Sequence, residues 1–262
     1  MDTSCVVTGG ARGIGRGIAE LLIERGHQVV ITDIDGPLAR DVAAEIGAAE
    51  GLLQDIRDPG SHRGVAAVVA RHGVLTAWFN NAGVGDDGTL ADTSEDAVRR
   101  LVEVNLLGTM WGMRAAIEAF GSRGGDIVNV ASLAGLGPAP GYSVYAATKA
   151  AVVSISMSAD SEGPRSVRVH ALCPDGVQTA LLDGQKPDSL GTRLVHSGGR
   201  ILTVDEVARE AVDLVGSNRV VLTVPRWRGA LMRAGSVAPS VAKRGVRLFE
   251  AQGRRRIEKR KR

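Results

Sequence analysis

Thr8-Gly9-Gly10-Ala11-Arg12-Gly13-Ile14-Gly15 follows a short apolar run, Ser4–Thr8, and leads straight into an amphipathic stretch, Gly13–Arg25. Within that stretch Ile14, Ile18, Leu21 and Leu22 recur at the spacing of one helical face. A strand, a glycine-rich turn and a helix in succession suit an anionic ligand. Glycine permits the tight turn, lets backbone approach a pyrophosphate, and allows the helix to pack closely on the strand. The unpaired N–H groups at the helix N-terminus then attract the phosphates. Gly9, Arg12, Gly13, Ile14 and Gly15 are therefore candidate cofactor contacts. A glycine cluster alone also describes any tight strand–helix turn, so the surrounding pattern has to decide.

Outward from this turn the chain alternates. Runs rich in β-branched residues (Ser4–Thr8, Gln28–Thr32, Gly51–Asp55, Leu75–Asn80, Asp126–Ala131, Val167–Cys173 and Arg219–Val224) are separated by stretches of helical period. The runs show little polar alternation, as expected of parallel strands covered on both faces. Seven such strands with helices between them predict an α/β, doubly wound Rossmann-type sheet with helices on both faces. Asp33 ends the second run, where a carboxylate accepts from adenosine ribose hydroxyls and repels a 2′-phosphate. It favours NAD. Arg12 argues the other way, because a cation in the glycine turn can pair with that phosphate, and Asp33 carries more weight because it stands at the ribose itself.

The 262 residues suit one large α/β domain, read as a catalytic domain over 1–225 with a C-terminal extension over 226–262. Leu181–Leu202 is polar and glycine-containing and follows a strand end, the usual place of a substrate lid. Its Leu181, Leu182, Leu190 and Leu194 suggest an apolar wall. Aromatics are only 3% of the chain, so Val, Leu, Ile and Ala must build the core. Two cysteines inside apolar runs, no leader ahead of the first strand and no long apolar segment predict a cytoplasmic protein. Lys243–Arg262 holds ten basic and two acidic residues, leaving 22 basic against 27 acidic elsewhere. The basic balance thus belongs to a tail and not to a nucleic-acid-binding fold, which is not expected. That tail, with Val246, Leu248 and Phe249 among Lys243 and Arg247, suits either peripheral contact with an anionic membrane or plain solvation. No His/Cys/Asp grouping has metal-ligand spacing, so no metal is expected.

Four further segments occur in a telling order: Asn80-Asn81-Ala82-Gly83 at the end of the fourth run, Asn105 in Val104-Asn105-Leu106-Leu107-Gly108, Ser132 after the fifth run, and Tyr145-Ala146-Ala147-Thr148-Lys149. With the spacing Thr-Gly-x-x-x-Gly-x-Gly at Thr8–Gly15, the chain resembles the short-chain dehydrogenase/reductase family over nearly its whole length. The resemblance implies a catalytic set of Asn105, Ser132, Tyr145 and Lys149. It also implies cofactor contacts from Asp55 and Ile56 to adenine, from Ala82 and Gly83 to adenosine, and from Pro174, Val177 and Thr179 near the carboxamide. Asn80 and Asn81 read as braces between strands, with Asn81 also beside the cofactor. Asp55 equally suits a helix N-terminal acid. One departure stands out: Pro174-Asp175-Gly176-Val177-Gln178-Thr179 has an aspartate where the family usually has glycine. Aspartate tolerates left-handed backbone better than most residues, which predicts that the turn survives.

Tyr145 and Lys149 are four apart on an expected helix, so both project from one face. A phenol titrates near ~10 and is a poor base at neutral pH, and a neighbouring ammonium is expected to lower that value. By resemblance, Lys149 also bonds the nicotinamide ribose, Ser132 holds the substrate oxygen, and Asn105 holds a water in a relay behind Lys149. Tyr142 competes as the catalytic tyrosine but has Ala146, not a cation, four residues on. The expected reaction is hydride exchange between NAD and a carbonyl or secondary alcohol, with a lipophilic substrate of steroid-like, terpenoid or acyl type. The resemblance also implies a homodimer or homotetramer formed through the helices of Asn105 and Tyr145. Two other readings use the same fold: a cofactor-sensing regulator without turnover, and a lyase or epimerase.

Overall fold

The computed structural model describes residues 2–186, 189–237 and 239–260. Seven strands, β1 (Thr3–Thr8), β2 (Gln28–Asp33), β3 (Glu50–Leu53), β4 (Val74–Asn80), β5 (Gly125–Val130), β6 (Val167–Pro174) and β7 (Val221–Val224), form one sheet in the order β3-β2-β1-β4-β5-β6-β7. Every neighbouring pair is parallel. The strand order reverses between β1 and β4. Strand ends diverge there and leave a crevice at their carboxyl edge.

Among the described residues eleven α-helices join and cover the strands: α1 (Gly13–Glu24), α2 (Gly36–Ile46), α3 (Pro59–Val69), α4 (Glu95–Leu101), α5 (Thr109–Phe120), α6 (Ser143–Glu162), α7 (Ala180–Asp183), α8 (Leu190–Ser197), α9 (Val204–Val212), α10 (Arg226–Val237) and α11 (Pro239–Arg260). A π-helical segment, Val102–Gly108, links α4 to α5. Helix starts follow local chemistry. Asp35 caps α2 by accepting from the Leu38 amide, with Pro37 in the first turn, and Thr203 and Glu206 form a reciprocal capping box on α9.

Burial on both sheet faces explains the apolar runs. Cys5, Val7, Val29, Ile31 and Phe79 face α1, α2 and α9, while Val6, Val30, Trp78 and Ile127 face α3 and α5. Successive residues alternate between two cores and neither face needs a polar side chain. With few aromatics, each core is made of many β-branched side chains, each contributing roughly 1.5–3 kcal/mol on burial.

Boundaries differ from the sequence reading at β3 and β7. β3 stops at Leu53, so Asp55 and Ile56 lie in the turn ahead of α3, whose cap is Asp58. β7 starts at Val221, two residues later than expected. The lid segment contains α7 and α8. The extension is helical, as α10 and α11, and α11 packs along α8; Lys261 and Arg262 of the basic tail lie outside the described residues. No helix among the described residues is long and apolar enough to cross a membrane.

Candidate active site

The carboxyl edge of the sheet holds a continuous cleft of about 1090 Å³. One end is the glycine turn. Gly9 has φ +62°, and a Cβ there would stand 2.8 Å from Ala82 Cα, so only glycine keeps the turn against the 80–84 loop. The two loops are stitched together. Thr8 Oγ1 accepts from the amides of Asn81 and Ala82, both at 3.1 Å, and Asn81 Nδ2 donates to the carbonyls of Thr8 and Gly9, both at 3.0 Å. Asn80 lies deeper, in an amide chain that runs to Asn129 and Ser156. Gly9, Arg12, Gly13, Ile14, Asn81, Ala82 and Gly83 line the cleft. Gly15 does not. It sits behind the turn, where a Cβ would come within 2.2 Å of the Gly9 carbonyl oxygen. Its role is close packing of α1.

Asp33, at the end of β2, lines the same region together with Asp55 and Ile56. Asp33 Oδ1 accepts from the Asp35 amide at 3.1 Å. Arg12 pairs with Asp35 at 2.8 Å, which commits the cation that would otherwise favour a 2′-phosphate. The pair is exposed and is worth at most about 1 kcal/mol. Asp55 receives Arg57 Nε at 3.0 Å and Nη2 at 2.6 Å, and this pairing holds its carboxyl below the usual carboxylate range.

The other end is built by β5, β6 and α6. Ser132 follows β5, with Oγ accepting from the Ala134 amide at 3.1 Å. Tyr145, one turn into α6, lines the cleft together with Ser132. Lys149, a turn further, is buried and donates from Nζ to the Val130 carbonyl at 2.8 Å. The ammonium stands 5.8 Å from the centre of the Tyr145 ring. The expected effect of the lysine on the phenol is not what this geometry gives. Burial dominates and raises Tyr145 above its ordinary value, with Ser132 opposing, while burial lowers Lys149 to about 8. The ammonium lies over the ring and points to a carbonyl, so it does not bond the hydroxyl.

Asn105 is buried, and its amide is spent on the backbone of the cleft wall. Oδ1 accepts from the Val84 amide at 2.9 Å, and Nδ2 donates to the Val84 carbonyl at 2.9 Å and to Thr148 Oγ1 at 3.3 Å. It therefore lies behind the lining and not in it. The π segment that carries it is a rare conformation that gathers at functional sites.

Lys149 has a consequence for stability. Its folded value of about 8 lies below the unfolded 10.5, so the unfolded chain binds more protons across that window. The cost of burying the ammonium is full below the window and is relieved as pH rises through it. Stability from denaturant melts is expected to gain about 2 kcal/mol between pH ~8 and ~10, relative to Lys149→Met. Equal slopes for the two proteins would show that the lysine is not desolvated.

Asp175 departs from expectation. Among the described residues every positive-φ position is a glycine, so the turn is not held by a left-handed aspartate. Instead, Asp175 Oδ2 pairs with Arg228 Nε of α10 at 2.9 Å, each side chain only 10% exposed. Burial pushes the carboxyl up while the guanidinium pulls it down. Arg228 also reaches Ser197 Oγ at 3.4 Å. Sequence reading missed Arg228 altogether, because nothing local links residues 53 positions apart. Pro174, Val177 and Thr179 lie in the cleft wall beside this pair. The Tyr142 hydroxyl donates to Gln185 Oε1 in the 181–202 segment.

A glycine cradle, an acid at the end of β2 and a buried ammonium form a set that fits a nicotinamide dinucleotide. Lys149 offers three N–H donors and has one protein acceptor among the described residues, which leaves donors for a sugar diol. Comparison with known proteins agrees with this geometry. Residues 3–189 match the family model described as short chain dehydrogenase. The chain is 37% identical over 194 residues to sorbitol dehydrogenase of Cereibacter sphaeroides, covering 72% of this chain and 74% of that protein. It is 38% identical over 192 residues to 2,5-dichloro-2,5-cyclohexadiene-1,4-diol dehydrogenase of Sphingobium indicum, covering 71% and 77%. A crystal structure of 3-ketoacyl-(acyl-carrier-protein) reductase from Brucella melitensis complexed with NADH superposes with TM-score 0.75 at 31% identity, covering 85% of this chain and 96% of that one. The chain belongs to the short-chain dehydrogenase family. It is an NAD(P)-dependent oxidoreductase acting on CH–OH groups.

Proposed function

We propose that the protein uses NAD to interconvert a lipophilic secondary alcohol and its ketone, with Tyr145 as the proton-transfer group. The observation that carries this reading is Tyr145 facing Ser132, with Lys149 one helical turn away, at the head of a cleft whose far end is Asp33. NAD, when bound, supplies the hydride acceptor at the nicotinamide ring.

Ser132 donates to the substrate oxygen and stabilises the charge that grows there. In oxidation Tyr145 takes the hydroxyl proton, and in reduction it returns that proton to the carbonyl oxygen. Lys149, with N–H donors left beyond its bond to Val130, holds the nicotinamide ribose. Asn105 braces the 82–84 loop through both polar groups of the Val84 backbone. Gly9, Arg12, Gly13, Ile14, Asp33, Asp55, Ile56, Asn81, Ala82 and Gly83 bind the adenosine and pyrophosphate half; Pro174, Val177 and Thr179 bind the carboxamide half. Apolar residues of the lid, Leu181, Leu182 and Leu194, favour a lipophilic substrate. The protein works in the cytoplasm as a homodimer or homotetramer. Exposed Lys243, Arg247, Arg254 and Arg255 on α11 support peripheral contact with anionic membrane.

Turnover of a panel of secondary alcohols with NAD and NADP, followed by nicotinamide absorbance, tests this reading. Reduction of NAD by apolar secondary alcohols is expected, and no turnover with any alcohol would favour a cofactor sensor. Asp33→Ser is expected to move the ratio of kcat/KM for NADP over NAD upward by at least about tenfold, because it removes like-charge repulsion at the ribose. An unchanged ratio would place cofactor discrimination elsewhere.

A further inference from the structure

The family match stops at residue 189, immediately ahead of α8 and well ahead of the C-terminal extension. Yet both contribute to the cleft wall. Leu194 and Val195 of α8 stand with Leu231 and Met232 of α10 and Val246 and Phe249 of α11 around its outer end. The two-helix extension is therefore part of the site.

Its attachment is built through backbone and charge. α11 crosses α8 at Gly253, where a Cβ would come 1.8 Å from the Arg193 carbonyl oxygen. Only glycine allows the helices so close. Arg193 Nη1 bonds Glu250 Oε1 at 2.8 Å on one side of the crossing. On the other, Arg256 Nη1 donates to the carbonyls of Ser197 at 3.0 Å and His196 at 3.3 Å, at the negative end of α8. α10 joins the same point through Arg228, which holds Asp175 at the end of β6 and reaches Ser197 Oγ. Three elements thus converge on the last turn of α8, and the extension and the lid form one body.

We propose that α11 is the roof of the substrate site, and that Val246 and Phe249 select an elongated, uncharged apolar tail on the substrate. This rests on the function proposed above and names its substrate class more closely. Arg228 is the one charged side chain that the extension contributes to the wall among the described residues, and Asp175 neutralises it. Among the described residues the extension therefore adds no unpaired cation to that end of the wall, and its apolar side chains reward each methylene laid against them.

The test is a series of straight-chain methyl carbinols from four to twelve carbons, oxidised with NAD by wild type, Phe249→Ala and Gly253→Leu. In wild type, kcat/KM is expected to climb by up to about three- to fourfold per methylene until the roof is filled. Phe249→Ala is expected to lower the ratio of longest to shortest by about tenfold or more, mainly through KM. Gly253→Leu lifts α11 from α8 and lowers the same ratio, while NAD affinity and a single cooperative melt show that the sheet is intact. A flat series in wild type, or the same slope in all three proteins, would overturn the proposal. If no alcohol turns over with either cofactor, the proposed function fails, and the roof is read separately by melting. A twelve-carbon methyl ketone that raises Tm in wild type but not in Phe249→Ala upholds it. No shift, or equal shifts, would overturn it.

Discussion

Tyr145→Phe is expected to lower kcat by about 10²–10⁴-fold with little loss of stability, because it removes the one group placed to carry the substrate's proton. Tyr145 lines the cleft beside Ser132, so the fold loses little when the hydroxyl is removed. The variant also separates this residue from its neighbours by pH. Burial raises the phenol in the protein alone, so in the oxidation direction kcat/KM should rise with pH as the phenolate forms. That limb should vanish in Tyr145→Phe. Substrate-panel kinetics across pH would show it, and turnover near the wild-type level in the variant would remove the proposed mechanism.

Arg228→Met is the second large effect, and it falls on stability. Asp175 and Arg228 are buried together at the junction of β6, α10 and the lid. Removing the guanidinium leaves a carboxylate with its solvation lost and its partner gone, which costs about 3–5 kcal/mol. The companion change identifies the cause. Asp175→Gly with Arg228→Met removes both charges and should recover most of the loss, since an absent pair costs far less than half of one. Denaturant melts of the two variants decide the matter. A destabilisation of Arg228→Met below about 0.5 kcal/mol would mean that the charge is not desolvated, and an equally unstable double variant would point to packing instead.

Much of the architecture was legible because it rests on local chemistry. β-branched runs without polar alternation marked all seven parallel strands, and the four-residue spacing of Tyr145 and Lys149 placed them on one face of α6. Ser132 was legible as the residue after β5. What was hidden depended on tertiary packing. The π segment around Asn105 has no side-chain period that distinguishes it from α-helix. The lysine's influence on the phenol was misjudged because composition cannot show an ammonium pointing at the Val130 carbonyl. Asp175 was read as a backbone device when its side chain was the point, with its partner far along the chain. The extension carried a signal that went unread: Gly245, Phe249 and Gly253 recur every four residues, two glycines flanking an aromatic on one face of a helix otherwise crowded with cations.

The stitching of the glycine turn to the 80–84 loop through Thr8 and Asn81 has one more consequence. It anchors the dinucleotide half of the cleft to β1 and β4 at the middle of the sheet, whereas the outer half hangs on segments joined after β6. Mutations that retune what is oxidised can therefore accumulate in α8, α10 and α11 without disturbing the residues that hold the coenzyme.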